Sequence, residues 1–225
     1  MKNHAIEQAN RSRRIESAQT AAYARLPEIV NKHIEFSYRK PFQDHNLQAF
    51  SRLVERLSKH TGPCILDSCC GTGMSSYQLA HLFPDTLVVG IDRSGARLAR
   101  GINRQTEKRE NCLLLHADCE DLWRLCALEN IVFTRHTVFY PNPYPKNEHF
   151  KRRWHGHPVF PILAQLSKTL ELRSNWQLYL QEFSVAWQIL TGGPGLLSQF
   201  EPERYMTLFE QKYHQSGQAL FRWVT

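Results

Sequence analysis

Residues 63–92, PCILDSCCGTGMSSYQLAHLFPDTLVVGID, are the stretch that decides the fold. The apolar run at 64–66 follows Gly62-Pro63 and predicts a short buried strand. A turn that contains Gly71 and Gly73 comes next, followed by a helix-compatible segment and a second apolar run at 87–91. A strand, a tight loop, a helix and another strand in this order predict one parallel β-α-β unit.

The same alternation continues along the rest of the chain. Further strands are expected at 112–115, in a segment that ends near Tyr140, and at 178–180; helices are expected at 47–57, 94–109 and 159–170. These assignments predict an α/β fold, in which a parallel sheet is covered by helices on both faces. We expect one domain over residues 46–225, preceded by a basic N-terminal leader or helical arm at 1–45.

Charge and composition narrow the classes of function. The 225 residues carry a formal net charge of +7, which favours a polyanionic partner such as RNA. No apolar run approaches the ~20 residues that span a bilayer, and the polar N-terminus does not resemble a signal peptide, so we expect a soluble cytoplasmic protein. The six cysteines form no C-x-x-C pair, and no metal site is expected. The oligomeric state stays open, with a monomer favoured.

The glycine turn and the acids near it predict a cofactor site. Glycine lets the backbone approach a ligand closely, and ligands of doubly wound sheets bind beyond the carboxyl ends of the strands. A dinucleotide site needs a third glycine, but Ser75 and Ser76 stand in its place. S-adenosylmethionine has no phosphates and fits this loop better. The expected cofactor-binding residues are Asp67, Cys69, Gly71, Gly73, Asp92, Arg93 and Asp118.

The three strand-end acids have separate parts in this hypothesis. Asp67 would lie near the methionine ammonium group, and Asp92 would accept hydrogen bonds from both ribose hydroxyls. Asp118 would accept a hydrogen bond from the adenine amino group. Asp118 also has an alternative role as a helix cap, because residues 119–121 are expected to open a helix.

Two motifs in the second half of the chain resemble one enzyme family. Residues 139–146, FYPNPYPK, precede HFKRR at 149–153, and TLFEQK occupies 207–212. This pattern resembles the bacterial tRNA (guanine-N7)-methyltransferase family, whose F-P-D-P-W-P-K precedes H-x-K-R-R and whose C-terminal part carries T-K-F-E-x-R. The resemblance implies a Rossmann-like class I methyltransferase with a seven-stranded, mostly parallel sheet and with S-adenosylmethionine and tRNA as its ligands.

The resemblance also implies the residues that hold the acceptor. Guanine N7 already carries a lone pair, so the site must mainly align the reacting atoms, and Asn142 is the expected catalytic residue. Glu210 would read the guanine edge with help from Thr207, and the basic residues beside the loop would contact RNA phosphates. The expected substrate-binding residues are Asn142, Tyr144, Lys146, Lys151, Arg152, Arg153, Glu182, Thr207 and Glu210.

The chain departs from the family pattern at three places. Asn142 replaces the aspartate of P-D-P-W, and Tyr144 replaces its tryptophan. The family's T-D-W after the fifth strand is matched here to residues 181–183, where Glu182 would keep the negative charge. These differences leave open a methyltransferase with another RNA or small-molecule acceptor, or an RNA-binding paralogue with weakened turnover.

Several of these residues also have plain structural interpretations. Thr207 and Glu210 are residue types that often stand at the ends of sheets. The basic helix face, made of Arg93, Arg97, Arg100, Arg104 and Lys108, is explained equally well as a solvated surface. The leader can be a solvated segment or an RNA-contacting arm.

Overall fold

A computed structural model describes residues 12–103 and 109–225, so Arg104 and Lys108 of the basic helix face lie outside it. Within these ranges one seven-stranded sheet has the order β3-β2-β1-β4-β5-β7-β6. The strands are β1 (Cys64–Ser68), β2 (Leu87–Asp92), β3 (Cys112–His116), β4 (Arg135–Phe139), β5 (Leu170–Ser174), β6 (Leu196–Phe200) and β7 (Leu220–Val224).

The sheet is mostly parallel, as the sequence predicted. Strands β1 to β5 pair in parallel, whereas β7 runs antiparallel to both β5 and β6. Every residue of β1 and β2 is buried, because a parallel strand at the sheet centre is covered on both faces. The edge strand β6 is partly exposed.

Helices occupy the connections and both faces of the sheet. They are α1 (Leu26–Glu35), α2 (Asp44–Ser58), α3 (Met74–Leu82), α4 (Gly95–Ile102), α5 (Cys119–Leu128), α6 (Leu163–Leu166), α7 (Gln177–Thr191) and α8 (Leu208–Gln215). Three short 3-10 turns lie between β4 and α6, at Asn147–Arg152, Trp154–Gly156 and Phe160–Ile162.

Two secondary-structure predictions between residues 159 and 180 are wrong. The helix expected at 159–170 is a 3-10 turn followed by the four-residue helix α6, and β5 begins at Leu170. The strand expected at 178–180 lies inside α7, where Tyr179 and Leu180 are buried. A short apolar run does not distinguish a buried strand from a buried helix face, and here the true fifth strand precedes the run.

The N-terminal part of the chain belongs to the same core as the sheet. Leu26 and Val30 of α1 are buried in the main hydrophobic cluster, together with Tyr179 and Phe183 of α7. Residue 45 therefore does not mark a gap in the packing, although the leader was expected to end there. Residues 1–11 of the expected leader lie outside the described ranges.

Candidate active site

One cleft of about 1100 Å³ lies at the carboxyl ends of the central strands. It brings together residues from both predicted sets: Cys69, Gly71, Asp92 and Arg93 from the cofactor set, and Asn142, Tyr144, Lys151, Arg152 and Thr207 from the acceptor set. The expected site residues that do not line the cleft are Asp67, Gly73, Asp118, Lys146, Arg153, Glu182 and Glu210. The volume is slightly above the range for small-molecule pockets, ~300–1,000 Å³, so two ligand parts can share the cleft.

Asp92 fixes the backbone of the glycine turn. Its Oδ2 accepts a hydrogen bond from the Gly71 N–H at 2.9 Å, and its Oδ1 accepts one from the Ser94 N–H at 2.8 Å. Gly71 and Gly73 both have positive φ, which favours glycine. A Cβ on Gly71 would meet nothing within 4 Å, so this position leaves open space for a ligand.

Asp67 lies beneath the turn and is fully buried. Its Oδ2 accepts hydrogen bonds from the Ser75 and Ser76 hydroxyls, both at 2.6 Å, and its Oδ1 accepts one from Thr137 at 2.8 Å. Burial raises the pKa of Asp67, and the three hydroxyls oppose that shift. Both oxygens face protein groups, so Asp67 supports the turn from below and has no face on the cleft.

Close packing of helices against the turn explains two further glycines. A Cβ on Gly90 in β2 would lie 2.2 Å from the Ser76 hydroxyl, so glycine there lets α3 approach the sheet. A Cβ on Gly101 in α4 would lie 1.6 Å from the Thr72 carbonyl. Gly101 thus lets α4 pack on the turn, and Gly90 provides from the strand the close helix–strand packing that a third glycine provides in dinucleotide folds.

The expected adenine ligand, Asp118, does not line the cleft. It is the N-cap residue of α5, and its Oδ2 lies 3.3 Å from the amide nitrogen of Asn46 and 3.5 Å from Nε2 of His45. The two following residues, Cys119 and Glu120, line the cleft instead. Burial raises the pKa of Glu120. The sequence prediction chose Asp118 instead of the residues that follow it, because the pattern at a strand end does not show which side chains line the cleft.

The acceptor loop contains strained backbone on both sides of Asn142. Tyr140 has φ +52° and Tyr144 has φ +45°, and Cys69 on the opposite wall has φ +60°. All three line the cleft, and such strain concentrates at functional sites. Asn142 is exposed, and its Oδ1 accepts a hydrogen bond from the Tyr144 N–H at 3.3 Å.

Glu210 faces the protein interior and not the cleft. Its Oε1 accepts hydrogen bonds from Arg173 at 2.8 Å and from the Tyr140 hydroxyl at 3.2 Å, and its Oε2 accepts one from the Met206 N–H at 2.6 Å. The guanidinium of Arg173 lies over the Phe139 ring. Thr207 is the N-cap of α8, because its hydroxyl accepts a hydrogen bond from the Glu210 N–H.

Glu182 and Arg153 form a second buried pair. Both side chains are fully buried, and their N–O distance is 2.5 Å. The expected phosphate contact of Arg153 is thus corrected, because its guanidinium is enclosed by protein. The expected match of Glu182 to the family's T-D-W is also corrected, because the fifth strand ends at Ser174 and the residues there are Ser174-Asn175-Trp176.

Cations surround the mouth of the cleft on two sides. Arg93 precedes α4, and Arg97 and Arg100 lie on it, whereas Lys151, Arg152 and Lys212 belong to the acceptor half. Arg97 is paired with Asp92 at 2.9 Å. Trp154, His157 and Phe209 add aromatic surface that the sequence prediction did not assign firmly. Burial lowers the pKa of His157 to about 4, so its ring is neutral at pH 7.

Metal sites and membrane spans are the two other features that bear on function in the described ranges. Residues 12–103 and 109–225 contain no cluster of three or more histidine, cysteine, aspartate or glutamate side chains that could hold a metal ion. In the same ranges, no helix combines the length and apolar character that a membrane span requires.

Known proteins resemble the chain in sequence and in fold. The family model Methyltransf_4, described as "Putative methyltransferase", matches residues 61–223. A tRNA (guanine-N(7)-)-methyltransferase of Nocardia farcinica is 25% identical over 258 aligned positions, which cover 99% of this chain and 95% of that protein. The solved structure of an antibiotic-related methyltransferase has a TM-score of 0.56 at 14% identity and covers 84% of this chain and 96% of that one.

A further solved structure shares the fold. A 16S rRNA (adenine(1408)-N(1))-methyltransferase from Catenulisporales acidiphilia, solved with its cosubstrate S-adenosylmethionine, has a TM-score of 0.54 at 15% identity. It covers 83% of this chain and 92% of its own. At this identity the likeness supports the fold alone, which is that of class I methyltransferases. The chain therefore belongs to the Methyltransf_4 family and is an S-adenosylmethionine-dependent methyltransferase.

Proposed function

We propose that this chain transfers the methyl group of S-adenosylmethionine to N7 of a guanine in tRNA. The observation that carries the proposal is that the glycine turn at 69–73 and the acceptor loop at 140–144 face each other across one cleft. The Nocardia relative, whose name states this reaction, aligns with 99% of the chain. Asn142 and Thr207, which come from the two acceptor motifs of that family, line the same cleft.

The cofactor half of the cleft fits S-adenosylmethionine. The turn offers open space at Gly71, and the carboxylates of Asp92 and Glu120 suit a ligand that carries positive charge. Asp92 already accepts two hydrogen bonds and forms an ion pair with Arg97, which leaves about one of its four lone-pair sites for a ribose hydroxyl. Arg97 is 39% exposed and can turn outward to free a second site. When bound, this cofactor supplies an electrophilic sulfonium methyl group.

The acceptor half suits an atom that needs no deprotonation. Among the described residues that line the cleft, the only carboxylates are Asp92 and Glu120, and both belong to the cofactor half. The acceptor half offers the Asn142 amide, the Thr207 hydroxyl and aromatic rings. Guanine N7 carries a free lone pair, so its methylation requires alignment and no general base. Asn142 is the residue we assign to that alignment.

Guanine recognition is assigned to the exposed polar groups and not to Glu210. A guanine edge could reach the Glu210 carboxylate only if Arg173, Tyr140 or the Met206 N–H released it. Separating the buried Arg173–Glu210 pair alone costs roughly 3–5 kcal/mol. We therefore assign Asn142 and Thr207 to the base and Tyr144 to stacking, with Glu210 holding the loop in place.

The rim of the cleft suits the RNA backbone. Six cations line the cleft against two carboxylates, and both sides of the mouth contribute to them. Phosphate contacts of this kind position a nucleic acid without reading its sequence. We assign Lys151 and Arg152 to phosphates near the acceptor base, and Lys146, which is exposed beside them, to the same strand.

The test is methyl transfer to unmodified tRNA. Purified protein is incubated with methyl-labelled S-adenosylmethionine and tRNA transcripts, and labelled nucleotides are mapped by cleavage at 7-methylguanine. We expect label at one guanine of the variable loop and none when that guanine is replaced by adenine. Label on another nucleotide, or cofactor binding without any transfer to tRNA, would contradict the proposal.

A second candidate is a methyltransferase of the same fold with a different RNA acceptor. Amides stand at both positions where the family pattern has aspartate, Asn142 in the acceptor loop and Asn175 after β5. An amide supplies no full charge to a guanine that becomes positive, so a different acceptor is favoured by this one feature. Transfer to total RNA fractions other than tRNA would support it.

A further inference from the structure

We propose that the N-terminal segment at 12–23 completes the acceptor site, with Gln19 and Arg153 as positioning residues for Tyr144. This inference rests on the proposed function, since it concerns the loop that would receive the base. The sequence left the leader as either a solvated segment or an RNA-contacting arm, and no motif singled out Gln19. The chain of contacts runs from Gln19 through Arg153 to the Tyr144 carbonyl.

Tyr144 is held in an unfavourable backbone conformation from outside the loop. Its φ of +45° lies in the left-handed region, which is unfavourable for a residue that carries a Cβ. Its carbonyl accepts two hydrogen bonds from Arg153, from Nε at 3.1 Å and from Nη2 at 3.0 Å. This fork keeps the ring of Tyr144 at the cleft wall, two residues from Asn142.

Arg153 is itself held by the N-terminal segment. Its Nη2 donates to Oε1 of Gln19 at 2.9 Å, and its Nη1 donates to Glu182 at 2.5 Å. Gln19 then donates from Nε2 to the other oxygen of Glu182, also at 2.5 Å. One glutamine side chain thus bridges both members of the buried pair and orients the guanidinium toward Tyr144.

Glu182 is saturated by donors, so the pair has no free alternative partner. It also accepts hydrogen bonds from the Tyr23 N–H at 2.8 Å and from His155 Nε2 at 3.0 Å. Burial raises the pKa of Glu182, but its hydrogen bond with His155 and the charge of Arg153 hold it below the usual value. Burial lowers the pKa of His155, so the compensating positive charge belongs to Arg153.

The segment is attached to the acceptor loop at further points. The Ser17 hydroxyl donates to the Pro145 carbonyl at 2.7 Å, and the Tyr23 ring stacks on Phe150 at 4.3 Å between centroids. At its beginning, the Ser12 N–H donates to the Ser216 hydroxyl after α8. Within the described ranges these contacts all reach the acceptor half, so the segment influences that half and leaves the glycine turn alone.

The experiment compares Gln19→Ala with Gln48→Ala, which removes an exposed glutamine on α2. Hydrogen exchange of the 141–153 amides, cofactor affinity and the single-turnover rate with tRNA are measured for each. For Gln19→Ala we expect faster exchange confined to 12–23 and 141–153, cofactor affinity within about twofold of the parent, and a rate that falls about 10-fold or more, since misplacement by 1 Å can cost about 100-fold. Gln48→Ala should match the parent.

Three results would overturn the inference: unchanged loop exchange, faster exchange with an unchanged rate, or an equal loss of cofactor affinity. Arg153→Lys is the second variant, because lysine keeps the charge for Glu182 but lacks the planar fork for the Tyr144 carbonyl. Compared with Gln19→Ala, Arg153→Lys should show faster exchange at 141–153 and a larger fall in the single-turnover rate. If the parent protein does not methylate tRNA, the proposed function fails, while loop exchange in Gln19→Ala still decides whether the segment positions Tyr144.

Discussion

The two halves of the cleft are held by different means. On the cofactor side, the glycine turn is fixed by Asp92, a carboxylate 21 residues away in the adjacent strand. On the acceptor side, Tyr140 and Tyr144 are each held by a buried arginine–glutamate pair, Arg173–Glu210 at one end and Arg153–Glu182 at the other. One β-α-β unit builds the first half, whereas two buried charged pairs hold the second. The acceptor half should therefore be the more sensitive to single changes in buried charge.

The largest effect expected from this contrast is on stability, in Arg173→Met. Arg173 pairs with Glu210 and Glu171, and removing it leaves buried carboxylates without a cation. Breaking such a pair costs about 3–5 kcal/mol, which urea unfolding would measure. The control is Arg25→Met, since Arg25 pairs with Glu28 on an exposed helix surface and should matter little. Equal effects of the two variants would remove the contrast between the halves.

The same contrast explains which features were predictable. The sheet centre was predicted because β1 and β2 are continuous buried apolar runs joined by a glycine turn. The turn was predictable because Gly71 and Gly73 mark the positions where the backbone adopts positive φ. The fifth strand was missed because the apolar run at 178–180 is the buried face of a helix, and that error moved the T-D-W match onto Glu182.

The acceptor half was less predictable because its partners are far apart in sequence. Arg153 looked like one of several basic surface residues in HFKRR, but Glu182 lies 29 residues away and Gln19 lies 134 residues before it. Glu210 had a motif to identify it, yet its partner Tyr140 is 70 residues away. Whether a charged side chain is buried depends on such distant partners, and no local sequence pattern indicates it.

The two aspartates of the cofactor half, Asp92 and Asp67, should have different effects on cofactor binding. Asp92→Ala should weaken S-adenosylmethionine binding about 10- to 100-fold, because a hydrogen bond to a charged group contributes about 1.5–3 kcal/mol. Asp67→Asn should instead lower stability and leave the affinity of the folded protein nearly unchanged, since Asp67 does not line the cleft. Calorimetric titration measures the affinity of both variants, and urea unfolding measures the stability of Asp67→Asn. A larger affinity loss in Asp67→Asn would reverse the assignment.

A smaller effect concerns pH and the buried histidine beneath the cofactor half. Burial lowers the pKa of His136 to about 3, and its Nδ1 has no hydrogen-bond partner among the described residues. The unfolded chain therefore binds a proton near pH 6.5 that the folded protein does not, so stability is lost as the pH falls below about 6.5. Between pH 7.5 and 5, His136 should account for about 2 kcal/mol of that loss.

The control for this titration is His136→Gln, which removes the ionisable group and keeps a polar side chain beside Ser68, the partner of Nε2. Its unfolding free energy should fall by about 2 kcal/mol less than that of the parent over the same pH range. His155 and His157 remain in both proteins and contribute equally. A parallel pH dependence in the two proteins would mean that His136 titrates normally.

The smallest expected change tests the chemistry of the acceptor half itself. Asn142→Asp puts a carboxylate at the exposed tip of the acceptor loop, where it can stabilise the positive charge that develops on guanine. We expect the single-turnover rate with tRNA to rise about 10-fold, or roughly 1.4 kcal/mol, with cofactor affinity unchanged. Asn31→Asp, on the exposed surface of α1, makes the same chemical change away from the cleft and should leave the rate unchanged. If Asn142→Asp lowers the rate while guanine remains the acceptor, the amide is itself adapted to the base, and the two halves of the cleft have diverged from the family pattern to different extents.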